Sequence, residues 1–167
     1  MLKCYGMKSK GKIIVTGGAG FIGSHLTKKL VNLGLNVIVI DNFSTGKIDN
    51  LKKIKSKIKI IKEDIGNFER LKNQLLRREK IDYIYHLAAL PRIERSIDSP
   101  METHRSNVHG VFGVLELARF LGIKRLIFTS SSSVYGTQNK NPLTEDLTPN
   151  PQNPYAAHKQ IGEVYCD

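Results

Sequence analysis

Short apolar segments rich in β-branched residues alternate with helical segments along the chain of 167 residues. The apolar segments are predicted to be strands, and they cover residues 12–16, 36–40, 58–62, 83–87 and 125–129. Helices are predicted between them over residues 21–33, 47–56, 67–79 and 103–121. Strands that alternate with helices form a parallel sheet through right-handed crossovers, with helices on both of its faces. The alternation therefore predicts a doubly wound α/β domain.

Composition and local patterns exclude several classes of protein. No apolar run approaches the roughly 20 residues that cross a bilayer, and residues 1–12 lack the apolar segment of a signal peptide. The two cysteines, Cys4 and Cys166, lie at opposite ends of the chain without metal-ligand spacing. We therefore expect a cytoplasmic protein with no membrane contact, no disulfide framework and no metal site.

The chain is basic, with 26 lysine and arginine residues against 15 acidic residues and a formal net charge of +11. Much of this charge lies between Lys47 and Lys62, where lysines interleave with isoleucines. The segment is either a patch that binds polyanions or the solvated side of a helix and a strand. Because no nucleic-acid-binding signature accompanies it, we favour the solvated face and expect no nucleic-acid partner.

A glycine-rich turn, Gly17-Gly-Ala-Gly20-Phe-Ile-Gly23, joins the first predicted strand to the first predicted helix. Gly17 permits the tight turn, Gly20 lets the backbone approach a pyrophosphate, and Gly23 lets the helix pack closely on the strand. The helix N-terminus offers free N–H groups and a positive dipole end to an anion. Asp41 follows about 20 residues later, where a carboxylate binds the ribose hydroxyls of an adenosine and repels a 2′-phosphate. The other interpretation of Asp41 is a turn residue, but the combined pattern favours binding of NAD over NADP.

The last predicted helix runs from Pro154 to Asp167, with Asn153 as its N-cap and Pro154 at the first helical position. No stop signal follows it, although a six-stranded dinucleotide-binding sheet needs a further strand. We therefore expect residues 12–167 to be a Rossmann-type NAD-binding domain that is truncated before its last strands and the substrate domain. Residues 1–11 are predicted to be an N-terminal extension.

Tyr155 and Lys159 lie four residues apart in the last predicted helix, and hence on one face of it. A free tyrosine phenol has a pKa near 10, so ionisation near pH 7 needs roughly 4 kcal/mol of preference for the phenolate. A neighbouring ammonium and the positive ring of oxidised nicotinamide can supply that preference. Such a phenolate accepts the proton of an alcohol while the carbinol hydrogen leaves as hydride. The pair is therefore predicted to be catalytic.

Three glycines spaced as Gly-x-x-Gly-x-x-Gly, Asp41, the Tyr155–Lys159 pair and the serine run after the fifth strand resemble the extended short-chain dehydrogenase/reductase family. The resemblance covers essentially all of residues 12–167. It implies an NAD-dependent epimerase or dehydratase. The cofactor-binding residues that it implies are Gly17, Gly20, Phe21, Ile22, Gly23, Asp41, Asn42, Asp64, Ile65, Leu87, Ala88, Ala89, Asn107, Tyr155 and Lys159.

Within this resemblance, Phe21 and Ile22 line the pyrophosphate turn, and Asn42 joins Asp41 at the adenosine ribose. Asp64 and Ile65 border the adenine, whereas residues 86–89 pass beneath the nicotinamide ribose. Three of the polar residues have simpler interpretations that stay open. Asp64 could be a helix cap, His86 a core histidine and Asn107 a helix residue bonded to backbone.

The serine run Ser130-Ser-Ser-Ser-Val-Tyr-Gly136 follows the fifth strand, at the edge of the sheet where ligands bind. The resemblance implies that Ser131 is the third catalytic residue, which binds the substrate oxygen together with Tyr155. A polar turn is the other interpretation of the run. In the dehydratase members of the family an Asp-Glu pair follows this serine, whereas this chain has Ser132 and Ser133.

The lack of that acidic pair implies removal and return of hydride without elimination of water. The resemblance therefore implies a nucleotide-sugar 4-epimerase of the UDP-glucose/UDP-galactose type, which oxidises the sugar at C4, lets it rotate and reduces its other face. UDP-glucuronate and UDP-N-acetylglucosamine epimerases are alternatives. Further alternatives are a dehydratase, which is a lyase and would use Glu94 or Glu145, and a non-catalytic NAD-binding fragment.

The resemblance also implies a UDP-sugar substrate and a homodimer of the full-length protein. We expect residues 1–167 alone to show weak or no turnover. His158, where relatives often carry serine, is expected to face away from Tyr155.

Overall fold

The computed structural model describes residues 11–75, 80–138 and 142–167. Three sequence-based expectations fall partly outside these residues. They concern the N-terminal extension, Cys4 and the last four residues of the helix predicted over 67–79.

Five parallel strands form one sheet in the order β3-β2-β1-β4-β5. The strands are β1 Lys12–Thr16, β2 Val37–Asp41, β3 Ile58–Lys62, β4 Ile81–His86 and β5 Arg125–Phe128. Every residue of β2 is buried, as expected for a strand covered on both faces. The predicted Rossmann-type doubly wound parallel sheet is confirmed.

The helices occupy the connections between the strands and follow β5. They are α1 Phe21–Asn32, α2 Phe68–Gln74, α3 Ile93–Asp98, α4 Pro100–His104, α5 Gly110–Leu121 and α6 Pro154–Cys166. Two 3₁₀ helices cover Ile48–Lys57 and Ser132–Tyr135, and a π turn at Arg105–His109 joins α4 to α5. In the described ranges, no helix combines the length and hydropathy that crossing a membrane requires.

The core has two parts, one on each face of the sheet. Ile13 and Val15 of β1 point to one face, where they pack in a cluster with Leu51 of the first 3₁₀ helix. Ile14 points to the other face and packs in a cluster with Leu117 of α5. This alternation with a period of two residues buries both faces of the sheet. The carboxyl ends of the strands are therefore left as the accessible edge for a ligand.

Candidate active site

A cavity of about 340 Å³ lies along the carboxyl edge of the sheet. Its walls come from the residues that follow each of the five strands, from the glycine turn and from the first turns of α6. The predicted site residues that line it are Gly17, Gly20, Phe21, Ile22, Gly23, Asp41, Asn42, Asp64, Ile65, Leu87, Ala88, Ala89, Tyr155 and Lys159. Asn107 and Ser131 are not among its lining residues.

The glycine turn brings the N-terminus of α1 to the cavity. Gly17 has a φ of +67°, and a Cβ there would lie 2.7 Å from the amide nitrogen of Ala88. A Cβ on Gly23 would collide with the carbonyl oxygen of Gly17. No side chain caps the N-terminus of α1. The N–H groups of its first turn are thus available to an anion, as a pyrophosphate requires.

We expect Gly23→Ala to weaken NAD binding by about ten-fold or more, since overpacking of this kind costs 1–3 kcal/mol. The added methyl group must push α1 away from the turn that would hold the pyrophosphate. Isothermal titration calorimetry measures the effect. Gly34→Ala is the control, because Gly34 has a φ of +77° but no atom within 4 Å of its Cβ position. Gly34→Ala should lower the free energy of unfolding without changing the affinity for NAD. Equal NAD affinities of Gly23→Ala and Gly34→Ala would contradict the prediction.

Asp41 ends β2 beside the glycine turn. One carboxylate oxygen accepts the N–H of Ala19 at 2.8 Å, and the other accepts the N–H of Phe43 at 2.8 Å. The residue is buried, yet it lines the cavity. A carboxylate oxygen has more than one acceptor site, so each can still accept a hydroxyl hydrogen. The turn interpretation of Asp41 and its predicted ribose contact are therefore compatible.

Asn42 and Asp64 are joined across the ends of β2 and β3. The Asn42 side-chain amide donates to one Asp64 carboxylate oxygen at 2.9 Å, and the other oxygen accepts the N–H of Gly66 at 2.9 Å. The side-chain cap of α2 is Asn67 instead. Asp64 therefore stabilises a turn at the cavity wall, and does not cap the helix as its simpler interpretation proposed.

The N-terminus of α6 carries the predicted catalytic pair. Asn153 caps the helix by accepting the N–H of Ala156 at 2.9 Å, as predicted. Tyr155 and Lys159 both line the cavity, together with the glycine turn. The structure therefore places the predicted catalytic pair and the predicted pyrophosphate turn on the same cavity.

The Lys159 ammonium is buried at the end of β5. It donates to the carbonyl oxygen of Thr129 at 2.8 Å and lies 4.9 Å from the centre of the Phe128 ring. Burial lowers the pKa of Lys159 to about 8. The backbone and ring contacts fix the position of the ammonium group. Its burial nevertheless disfavours the charged form.

We expect Lys159→Met to raise the free energy of unfolding by about 2 kcal/mol at pH 7, while it weakens NAD binding. Between the folded pKa of about 8 and the ordinary value of 10.5, the unfolded chain binds more protons than the folded chain. Wild-type stability should therefore rise with pH across that window, and the variant should lack this rise. Urea unfolding at pH 7 and pH 10 measures both effects. Lys53→Met, at an exposed position, is the control. It should change neither the free energy of unfolding at pH 7 nor its rise with pH.

His86 is a core histidine, as its simpler interpretation proposed. Its Nδ1 lies 2.7 Å from the Thr16 hydroxyl, which accepts the N–H of Ala88 at 3.3 Å. Burial, and secondarily the charge of Lys159, lowers the pKa of His86 to about 3. The ring is therefore neutral, and it shares a hydrogen bond with the Thr16 hydroxyl. This chain of bonds orients the residues after β4 that line the cavity.

Ser131 lies next to the cavity wall. Its hydroxyl accepts the N–H of Ser133 at 3.2 Å and donates to the Ser133 hydroxyl at 3.1 Å, so it caps the second 3₁₀ helix. The preceding residue, Ser130, lines the cavity, and its buried hydroxyl has no hydrogen-bond partner among the described residues. Ser130 was not predicted to be a site residue. The alternation of side chains along an extended segment could have indicated that only one of the two neighbours faces the ligand.

Asn107 is bonded to backbone, as its simpler interpretation proposed. Its side-chain oxygen accepts the N–H of Leu90 at 2.7 Å, and its amide nitrogen donates to the Leu90 carbonyl at 2.9 Å. Both polar atoms are thus used by one backbone segment, and the residue is buried in the π turn. Asn107 holds the loop after β4, and its cofactor contact stays a prediction.

His158 is buried and, unlike Tyr155 and Lys159, does not line the cavity. Its ring packs edge-on against His104 of α4, with 5.5 Å between the ring centres. Burial, followed by the nearby His104, lowers the pKa of His158.

A glycine turn, an acid at the end of β2 and a Tyr–Lys pair on one cavity define a Rossmann-type domain that binds NAD. Residues 14–167 match the family model described as GDP-mannose 4,6 dehydratase. The chain belongs to this family of NAD-dependent epimerases and dehydratases.

Individual relatives of the chain are epimerases. The UDP-glucose 4-epimerase of Mycolicibacterium smegmatis is 40% identical over 159 residues, which are 93% of this chain and 50% of that protein. The UDP-N-acetylglucosamine 4-epimerase of Methanobrevibacter ruminantium is 37% identical with a TM-score of 0.82, over 93% of this chain and 49% of that one. The Thermus thermophilus UDP-glucose 4-epimerase in complex with NAD is 33% identical with a TM-score of 0.84, over 92% and 49%. The chain thus spans about half the length of the curated relatives it matches.

Proposed function

We propose that this chain supplies the NAD-binding half and the catalytic base of a nucleotide-sugar 4-epimerase that acts on UDP-glucose and UDP-galactose. The observation that carries the proposal is that Tyr155 and Lys159 line the same cavity as the glycine turn and Asp41. The 40% identity to a UDP-glucose 4-epimerase supports the choice of reaction. A cytoplasmic location and the absence of a nucleic-acid partner are part of the proposal.

The order of the strands supports one orientation of the dinucleotide in the cavity. Asp41, Asn42, Asp64 and Ile65 lie at the β2–β3 side and would hold the adenosine. The glycine turn after β1 lies in the middle and would hold the pyrophosphate. The residues that would border the nicotinamide half come from the β4–β5 side and from α6, and they are Leu87, Ala88, Ala89, Tyr155 and Lys159.

In the proposed reaction, NAD held in the cavity would supply the acceptor for the C4 hydride, and the hydride would return to the opposite face of the sugar after the 4-keto form has rotated. The Tyr155 phenolate accepts the proton of the 4-hydroxyl and later returns it to the same oxygen. The Lys159 ammonium, fixed by the Thr129 carbonyl, stabilises the phenolate by its charge. Ser131 is proposed to bond the same substrate oxygen, although its hydroxyl contacts Ser133 in this structure.

The carboxylates argue for an epimerase over a dehydratase. Among the described residues that line the cavity, the acids are Asp41, Glu63 and Asp64, all at the β2–β3 side. Glu94 and Glu145 are exposed and do not line it. Elimination of water needs an acid or base at the sugar, so the positions of these carboxylates support transfer of hydride without elimination.

An apolar face on α4, α5 and α6 supports the proposal of a homodimer. Met101, Val164 and Tyr165 are exposed there, and the Phe112 and Tyr165 rings pack with 4.4 Å between their centres. Exposed apolar side chains that contact one another, as the Phe112 and Tyr165 rings do, are typical of protein–protein contacts. We also propose residues 12–167 as the NAD-binding domain and residues 1–11 as an extension.

The test is to incubate the protein with NAD and UDP-galactose and to identify the product by chromatography and NMR. UDP-glucose is the expected product, and a 4-keto-6-deoxy sugar would contradict the proposal in favour of a dehydratase. UDP-N-acetylglucosamine should be assayed in parallel, because an epimerase of that sugar is 37% identical to this chain. UDP-glucuronate is the third substrate to compare. Residues 1–167 alone are expected to show little turnover, so a longer protein that contains them should be assayed as well.

A further inference from the structure

One N–H group in the first turn of α6 donates its hydrogen bond to a side chain of a different helix, α3. The N–H of Ala156 donates to the Asn153 side chain at 2.9 Å, and the N–H of Ala157 donates to the Asn153 carbonyl at 3.0 Å. The N–H of Tyr155 donates instead to the Ser96 hydroxyl of α3 at 3.1 Å. First-turn N–H groups have no partner within their own helix. The backbone of Tyr155 is therefore anchored from outside α6, by Ser96.

Ser96 is built into the fold as an acceptor. It is fully buried, and its hydroxyl donates to the Ile93 carbonyl at 2.6 Å. That bond uses the hydroxyl hydrogen and turns a lone pair toward the N–H of Tyr155. One oxygen thus ties the first turn of α3 to the first turn of α6.

The segment that carries Ser96 begins at the cavity wall. Leu90 and Pro91 line the cavity immediately before α3. Asn107 clamps both backbone groups of Leu90 at 2.7 and 2.9 Å. Residues 90–96 are therefore fixed at one end by Asn107 and joined at the other end to Tyr155.

We propose that Ser96 is a positioning residue, which sets the place of Tyr155 relative to the nicotinamide half of the cofactor. The inference rests on the proposed function, in which Tyr155 contacts that half. Removal of the hydroxyl leaves the N–H of Tyr155 without its acceptor, in a partly buried place. Lys159 lies one turn further along and keeps its own anchor on the Thr129 carbonyl. The loss of Ser96 should therefore affect Tyr155 more than Lys159.

The test is a double-mutant cycle of Ser96→Ala and Tyr155→Phe, read out as the affinities for NAD and for ADP by calorimetry. ADP would occupy the adenosine side and the glycine turn but not the nicotinamide side, so it reports on the integrity of the rest of the site. Ser96→Ala should weaken NAD binding about five-fold and leave ADP binding within about two-fold. In the Tyr155→Phe background it should weaken NAD binding by less than about two-fold, because the contact that it positions is already gone.

Matched variants separate positioning from general damage. Ser96→Thr keeps the acceptor oxygen and should restore wild-type NAD affinity, whereas Ser96→Cys keeps the volume with a weak acceptor and should behave as Ser96→Ala. The Cys and Thr variants decide the question if Ser96→Ala does not fold. Thr103→Val is the control, because Thr103 is a fully buried residue whose hydroxyl donates to Ser99 and Pro100 within its own segment. It should change neither affinity.

The results that would contradict the role of Ser96 are distinct from those that bear on Tyr155 itself. Additive effects of Ser96→Ala and Tyr155→Phe, or an equal loss of NAD and ADP binding, would overturn the positioning role and leave the proposed function standing. If Tyr155→Phe alone leaves NAD affinity unchanged, Tyr155 does not contact the nicotinamide half. The role of Ser96 would then fall, because it depends on that contact, whereas the proposed reaction is tested separately by the rate of the Tyr155→Phe variant.

Discussion

The Tyr155→Phe variant is expected to epimerise UDP-galactose about 10³-fold more slowly than the wild-type protein, since a positioned general base contributes 10²- to 10⁴-fold. The substitution removes one oxygen and leaves the ring, so the packing of α6 should persist. NAD should still bind at saturating concentration, although more weakly, because the glycine turn, Asp41 and Lys159 are unchanged. The rate of UDP-glucose formation, measured on NAD-saturated protein that contains this chain, gives the result.

A second tyrosine offers a chemically identical control. Tyr83→Phe removes the same atom from β4, at a position that does not line the cavity. We expect its rate to stay within about two-fold of wild type, as for a substitution away from the reacting groups. Equal losses in the two variants, or full activity of Tyr155→Phe, would show that the phenol of Tyr155 is not the base.

The strands were the most predictable elements of this fold, because each is a short apolar run next to residues that break it. The bounds of β1 and β3 are those predicted. The start of β4 was predicted two residues late, at Tyr83 instead of Ile81. The structure has a bulge there, and the buried Asp82 carboxylate accepts the N–H of Gly11 and pairs with Lys124. Contacts between residues so far apart in sequence leave no local signal.

Helical segments were predicted in the right places but not in detail. The segment predicted as a helix over 47–56 is a 3₁₀ helix at Ile48–Lys57, and the long helix predicted over 103–121 is interrupted by a π turn. Apolar periodicity tells which residues face the core, but it does not distinguish hydrogen-bond patterns that differ by one residue. Helix α3 was not predicted because six residues after a proline carry too short a pattern.

The candidate site was predictable where its residues follow strands, because parallel strands end at one edge of the sheet. Asp41 was found in this way, whereas Asp64 and Ala88 were assigned from the family resemblance to places after the third and fourth strands. Ser131 and Asn107 were assigned from the family resemblance, and the structure gives their polar atoms local partners. The hydrogen-bond partner of a serine or an amide side chain depends on the folded structure and leaves no signal in the local sequence. The same reason kept Ser96 out of the sequence analysis, although its hydroxyl contacts the helix that carries Tyr155.

Acid should destabilise the fold through His86. The pKa of this buried histidine is about 3 when folded, against an ordinary value of 6.5. Between these values the unfolded chain binds the extra proton, so stability is fully present above pH 6.5 and is lost as the pH falls toward 3. We expect the wild-type chain to lose about 3 kcal/mol by this route between pH 7 and pH 4. Urea unfolding at a series of pH values measures the loss.

His86→Asn isolates this contribution, because a side-chain amide can share a hydrogen bond with the Thr16 hydroxyl but cannot titrate. The variant should be less stable than wild type at pH 7 by about 2 kcal/mol, since the smaller side chain leaves a cavity next to Phe128. Its stability should then fall less steeply with acid, so that the two chains approach or cross near pH 4. His109→Asn, at an exposed position, should follow the wild-type curve throughout. Parallel curves for His86→Asn and wild type would mean that the His86 ring is not the group whose protonation unfolds the chain, and that another buried group carries the acid sensitivity.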